Sequence, residues 1–153
     1  ISYIMNKEER SLEWVDKKLN FESGLQGIAG MSDLRDIDRA YEAHEQKVVL
    51  AIDMYTNKIV DYIARFYMKL GGKVDAICFT AGGGENDPII RREVMKKLAP
   101  IGVLVDDEKN NSTIVRKGIE GVVSKEDSSI PVYVLGTDEE LMIARDTYEI
   151  YCQ

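Results

Sequence analysis

One histidine and two cysteines stand among 153 residues, and no CxxC pair occurs. That argues against a zinc centre. Two cysteines, Cys78 and Cys152, are too few for a disulfide framework and read as free thiols of a reducing cytoplasm. Cys78 sits inside an apolar run and is expected to be a small core residue. No apolar stretch approaches the roughly 20 residues that span a bilayer. The opening ISYIMNKEERS has neither a basic n-region nor a long apolar run, so it does not read as a signal peptide. A basic excess is also missing: 20 Lys and Arg face 27 Asp and Glu, a net charge of −7. This argues against nucleic acid and against anionic membrane surfaces as partners. It does not exclude a nucleotide, because backbone N–H groups and Mg²⁺ hold a small phosphate without a basic face.

What is present is an ordinary globular composition, 44% hydrophobic and 31% charged, at a length that fits one compact domain. Residues 1–19 are expected to be helical, with Ser11 capping the second half. Residues 20–36, rich in Gly, Ser and Asp, read as a loop. Val48, Ile52, Tyr55, Ile59, Ile63, Phe66 and Leu70 recur every three or four residues, one apolar stripe along a helix within 41–70 that Gly71-Gly72 ends. VDAICFT (74–80) reads as a buried, parallel strand. AGGGEN (81–86) follows as a glycine-rich loop, and Asp87-Pro88 opens a helix over 88–98 with Ile89, Ile90, Val94 and Leu98 inward. A second short strand is expected at 101–105. Residues 106–129 read as polar and irregular, with a small hairpin or strand near 113–123 and a solvated turn at 106–109. IPVYVLG (130–136) is another buried strand, and Thr137 with Glu140 forms a capping box for a helix over 138–150. Two strand–loop–helix units give an α/β fold.

Three segments carry candidate chemistry. The glycine-rich turn lets a ligand approach the backbone, and the start of helix 88–98 offers unpaired N–H groups. In an open α/β sheet, ligands bind beyond the carboxyl ends of strands. The turn is neither a Walker A loop nor GxGxxG, and its glycines also suit a tight connection with no ligand. In GMSDLRD (30–36), Asp33 and Arg35 flank Leu34; the plainer reading is a solvated loop with a local ion pair. In GTDEEL (136–141), acidic residues suit a first helical turn, but Glu139, unlike Glu140, has no structural task in the sequence. A carboxylate at a strand end is able to hold Mg²⁺ directly or through water. His44 reads as exposed and takes no catalytic role. Trp14 and the tyrosines read as core or partner-contact residues.

ESGLQGIAGMSDLRDID (22–38), FTAGGGENDPIIRREV (79–94) and GTDEELMIARDT (136–147), in this order and at these separations, resemble the acetate kinase family. VDDEKNN (105–111) and the opening ISYIM look similar too, so the likeness covers essentially the whole chain. The resemblance implies a ribonuclease-H-like lobe of the sugar kinase/Hsp70/actin superfamily, incomplete and with long amphipathic helices. It implies that residues 1–153 are the C-terminal, nucleotide-binding portion, with the N-terminal lobe outside the chain. The implied activity of the full enzyme is reversible, Mg²⁺-assisted phosphoryl transfer from ATP to acetate, giving acetyl phosphate and ADP. By resemblance, Asp33, Leu34 and Arg35 lie beside the adenosine. Gly82, Gly83, Gly84 and Asn86 receive the adenosine and adjoining phosphates, and Glu139 is the Mg²⁺-linked glutamate. The family's groups around acetate and the transferred phosphoryl have no counterpart here, so the chain alone is expected to be inactive. The implied partners are nucleotide, acetate or acetyl phosphate, and a second copy in a homodimer, in the cytoplasm.

The chain departs from the family pattern at several places. One residue is missing before Asp33, where the family has SSD. Gly83 replaces a usual Ile, Asp138 a usual Asn and Gly136 a usual Pro. A propionate or butyrate kinase is the alternative enzyme, and a non-catalytic nucleotide-binding or dimerisation module is the alternative of another class.

Overall fold

Glycine and capping residues divide the helices much as their chemistry requires. In a computed structural model that describes residues 1–152, α1 (Ser2–Glu8) stops at Glu9, and α2 (Leu12–Phe21) starts where the Ser11 hydroxyl accepts from the Trp14 N–H at 3.2 Å. Residues 20–36 are less irregular than expected. They contain α3 (Gly24–Ala29), closed by Gly30 at φ 79°. Asp33 then caps α4 (Leu34–Glu42) by accepting from the Arg35 N–H. His44, exposed as expected, takes φ 57° between α4 and the long α5 (Gln46–Lys69). Gly71 and Gly72, at φ 65° and 73°, end that helix, positions where a side chain would be strained.

The chain divides into two units, Ile1–Arg65 and the residues from Phe66 onward. The core of the first gathers Val15, Ile37, Ala40, Val48, Ala51 and Ile52, all buried. The apolar stripe of α5 is therefore buried only near its start. Further along, Tyr55, Phe66 and Leu70 are exposed, the last two at 59% each. Trp14 is half-buried, with Arg10 and Lys18 each over its ring.

The second unit holds a three-stranded sheet in the order β1 (Ile77–Phe79), β3 (Val132–Val134), β2 (Gly121–Val122). β1 and β3 are parallel, with Ile77 opposite Val132 and Phe79 opposite Val134; β2 runs antiparallel to β3. β3, the central strand, buries Val132 and Val134. β1 is an edge strand, and alternation sends Cys78 to the face opposite Phe79. Cys78 is exposed, against the expectation of a core residue. α7 (Pro88–Lys97) begins at its Asp87 cap as expected and buries Ile89, Ile90, Val94 and, just past its end, Leu98. No strand forms over 101–105: Ala99–Ile101 is a 3₁₀ turn, and Val105 makes a single antiparallel bridge to Ser124. The acidic run at 106–109 is the start of α8 (Asp107–Ser112), which Asp106 caps by accepting from the Lys109 N–H, rather than a turn.

α6 (Ala81–Asn86) occupies the stretch expected to be a glycine loop, and α9 (Glu139–Tyr151) closes the chain. The capping box assigned to α9 does not form. Asp138, one residue later than expected, is the cap and accepts from the Leu141 N–H at 2.9 Å. Thr137 is bonded elsewhere. α9 buries none of its residues: Leu141, Met142, Ile143, Tyr148 and Ile150 are all exposed. Among the described residues, no helix is long and apolar enough to cross a membrane.

Candidate functional site

β1 and β3 run parallel, so their carboxyl ends lie on the same edge of the sheet. The chain leaves β1 into α6 and leaves β3 through Gly136 and Thr137 into α9. The Leu135 N–H still reaches the Phe79 carbonyl at 3.1 Å, which keeps the two exits together. A parallel sheet binds ligands at such an edge, where the connections to the following helices diverge.

One carboxylate joins the two exits. Glu85 Oε1 accepts from the Ala81 N–H at 2.9 Å, from the Thr137 N–H at 3.0 Å and from the Thr137 hydroxyl at 2.8 Å. The Thr137 hydroxyl bond, with the two backbone bonds, holds Glu85 below its ordinary value, so the acceptor is charged. Ala81 sits at φ 58°, a left-handed conformation that costs a non-glycine residue roughly 1 kcal/mol or more. The bond from its N–H to Glu85 helps to hold it there.

The glycines of α6 follow. Gly82 is exposed at an ordinary helical φ, and a Cβ built on it would meet nothing within 4 Å. A Cβ on Gly84 would make only ordinary contact with Phe79, at 3.4 Å and beyond. Gly83 is half-buried. Asn86 is engaged at both ends of its amide: Oδ1 accepts from the Arg116 N–H at 2.9 Å, and Nδ2 donates to the Gly82 carbonyl at 3.2 Å.

The start of α7 does not offer the free N–H groups expected of it. Asp87 Oδ1 accepts from the Ile90 N–H at 2.9 Å, and Asp87 is 4% exposed, so the protein's own carboxyl group fills that position. Burial pushes the Asp87 carboxyl above its ordinary value.

Behind the turn lies a polar cluster that was not anticipated. Arg91 is fully buried and donates to Asn110 Oδ1, the Asn110 carbonyl, the Thr113 carbonyl and the Gly84 carbonyl, all between 2.7 and 2.9 Å. Burial lowers the guanidinium to about 10, which leaves it charged at neutral pH. Helical arithmetic carried the signal: Asp87, Arg91, Val94 and Leu98 share the inward face.

Glu139 stands two residues beyond Thr137, in the first turn of α9. It is exposed and makes no hydrogen bond or ion pair among the described residues. Among them, no three His, Cys, Asp or Glu side chains gather to hold a metal. Mg²⁺ commonly takes only one or two carboxylates and completes its shell with phosphate oxygens and water. A single exposed carboxylate with no protein partner fits that mode, and among the described residues no cage of protein ligands forms.

Asp33, Leu34 and Arg35 belong to the first unit. Arg35 Nη2 donates to Asp33 Oδ2 at 2.6 Å and its Nε to Asp33 Oδ1 at 3.0 Å, the local pair of the plainer reading. The hydrogen bonds from Arg35 hold Asp33 down to about 2. Leu34 is half-buried at the start of α4.

Two departures from the family pattern now have physical reasons. The Gly136 N–H donates to Glu120 Oε1 at 2.8 Å, a bond that proline has no hydrogen to make. Asp138 caps α9, a task that Asn and Asp perform about equally. Nothing in the structure explains Gly83 in place of Ile.

The pattern of the acetokinase family matches residues 1–145. The chain belongs to that family. An acetate kinase from Carboxydothermus hydrogenoformans is 41% identical over 150 residues, which cover 98% of this chain and 36% of that protein. The crystal structure of Porphyromonas gingivalis acetate kinase superposes with a TM-score of 0.82 at 34% identity, over 98% of this chain and 37% of that one. A propionate kinase from Francisella tularensis superposes with a TM-score of 0.80 at 33% identity, over 94% and 35%. The chain thus spans about a third of the length of the acetokinase-family proteins it matches. The mostly helical chain with its small sheet is consistent with an incomplete α/β lobe.

Proposed function

We propose that the chain is the C-terminal, nucleotide-binding portion of an acetate kinase, built on a ribonuclease-H-like lobe. In the full enzyme this portion holds ATP or ADP while the phosphoryl group passes reversibly to acetate. Gly82, Gly83 and Gly84 form the face that the adenosine and adjoining phosphates approach. Asn86 belongs to the same face, its amide braced by the Arg116 N–H and the Gly82 carbonyl. Asp33, Leu34 and Arg35 lie beside the adenosine in the assembled enzyme. Glu139 holds Mg²⁺, directly or through water, and the metal when bound neutralises charge on the transferring phosphate. The chain supplies position and electrostatics and no nucleophile. Taken alone it does not phosphorylate acetate, and hydroxamate formation by these residues only would refute that.

One observation carries the nucleotide reading. Glycine within a helical turn costs roughly 0.5–1 kcal/mol relative to alanine, yet nothing in the fold needs a glycine at position 82. Open space and a φ outside the left-handed region support close approach of a ligand as the reason for it. Gly82→Ala should therefore leave stability unchanged or slightly higher while weakening ADP about tenfold, ~1.4 kcal/mol, in a calorimetric titration. A Gly82→Ala chain that binds ADP as the unaltered chain does would sink the reading.

A propionate kinase superposes about as well as an acetate kinase does, so propionate stands as the alternative acceptor. A homodimer is the further expectation, supported by the exposed Phe66, Met68 and Leu70 of and beyond α5. Light scattering at micromolar concentration tests it, and a strictly monomeric full-length enzyme would contradict it.

A further inference from the structure

We propose that Glu85 is a positioning residue that couples the glycine turn of α6 to the segment bearing Glu139, so that nucleotide and Mg²⁺ are bound together rather than separately. The proposal rests on the nucleotide and metal readings above. Four facts support it. Glu85 Oε1 takes all three of its bonds from the two exits of the parallel strands, one from Ala81 and two from Thr137. The residues joined are 52 positions apart in sequence, so the bond sets tertiary geometry and not a local turn. Ala81 is held at φ 58° immediately before Gly82, so losing its acceptor relaxes the turn where the ligand approaches. Thr137 immediately precedes the Asp138 cap of α9, two residues before Glu139 in its first turn. Thr137 is thereby released from the capping role that its sequence position suggests and serves as the second end of a strut.

A charged acceptor with three donors is a strong and directional tie, roughly twice the strength of neutral bonds. Glutamine at position 85 keeps one carbonyl oxygen in the same place, since every bond uses a single oxygen. Alanine keeps none. If Glu85 links the two ligand-binding segments, removing it abolishes a coupling between sites, which is measured as a ratio of affinities. A purely structural role would lower stability and weaken ADP equally with and without metal, leaving that ratio unchanged.

The experiment is calorimetric titration of this chain with ADP, with and without Mg²⁺, alongside thermal melts. The unaltered chain should bind ADP more tightly with Mg²⁺, and Glu139→Ala should reduce the ratio of the two affinities to about one. Glu85→Ala should also reduce it to about one, and Glu85→Gln should restore most of it. Thr137→Val removes the hydroxyl end but keeps the backbone N–H. It should give an intermediate ratio, and it carries the test if Glu85→Ala fails to fold. An unaltered ratio in Glu85→Ala, or in Thr137→Val when only that variant folds, overturns the coupling while leaving the nucleotide reading intact. An unaltered chain whose ADP affinity ignores Mg²⁺ overturns the metal reading and this proposal with it. A chain that does not bind ADP overturns the nucleotide reading itself.

Discussion

Arg91 binds Asn110 at two points, donating from Nε to the side-chain oxygen at 2.9 Å and from Nη2 to the backbone carbonyl at 2.7 Å. Its other bonds reach Thr113 and Gly84, so one guanidinium ties α7 to α8 and to the back of α6. Asn110 completes the arrangement by donating to the Pro88 carbonyl at 2.8 Å.

Arg91→Ala should cost about 3–5 kcal/mol, because it strands several buried acceptors at once. Arg91→Lys should recover little of that, since an ammonium cannot reproduce the planar fork. Urea unfolding measures both. A loss in Arg91→Ala below about 1 kcal/mol would mean that water replaces the guanidinium at this site.

The cap of α9 makes a second expectation, and it corrects the sequence reading. Asp138→Ala should destabilise α9 by about 1 kcal/mol, while Glu140→Ala should cost roughly 0.5 kcal/mol or less. α9 buries no residue, so the loss should appear as faster amide exchange in its first turns rather than as a lower global melting temperature. Equal effects of the two substitutions would return the capping role to Glu140.

Much of this was legible in the sequence, and the misses have definite causes. Ser11, Asp87-Pro88 and Gly71-Gly72 act where they were read, because caps and breakers are local chemistry. The glycine run reads as a loop because glycine propensity opposes helix. Long-range bonds from Glu85 and Asn86 overrode it, and no local pattern encodes those bonds. The sequence shows the stripe of α5 as one continuous apolar face. Periodicity marks an apolar face but not what covers it, and Phe66 and Leu70 stay exposed. Arg91 was passed over because a charged residue is usually assigned to solvent, although its spacing from Val94 and Leu98 placed it inward.

The Asp33–Arg35 pair predicts a pH response. Asp33 is held down to about 2, so its contribution is fully present above its unfolded value near ~3.9 and is lost as pH falls through about 2. The pair is exposed, so added salt should weaken it. NMR titration of the Asp33 carboxyl should give a midpoint near 2, moving up toward the ordinary range in Arg35→Ala. A midpoint already ordinary in the unaltered chain would show that the pair does not persist in solution.

The central claim is that this chain binds nucleotide at the edge where β1 and β3 end. Titrating the ¹⁵N-labelled chain with ADP and following every backbone amide tests it most directly. Saturable shifts should be largest over residues 81–86. Saturable shifts confined to other residues, or none at millimolar ADP, would contradict it.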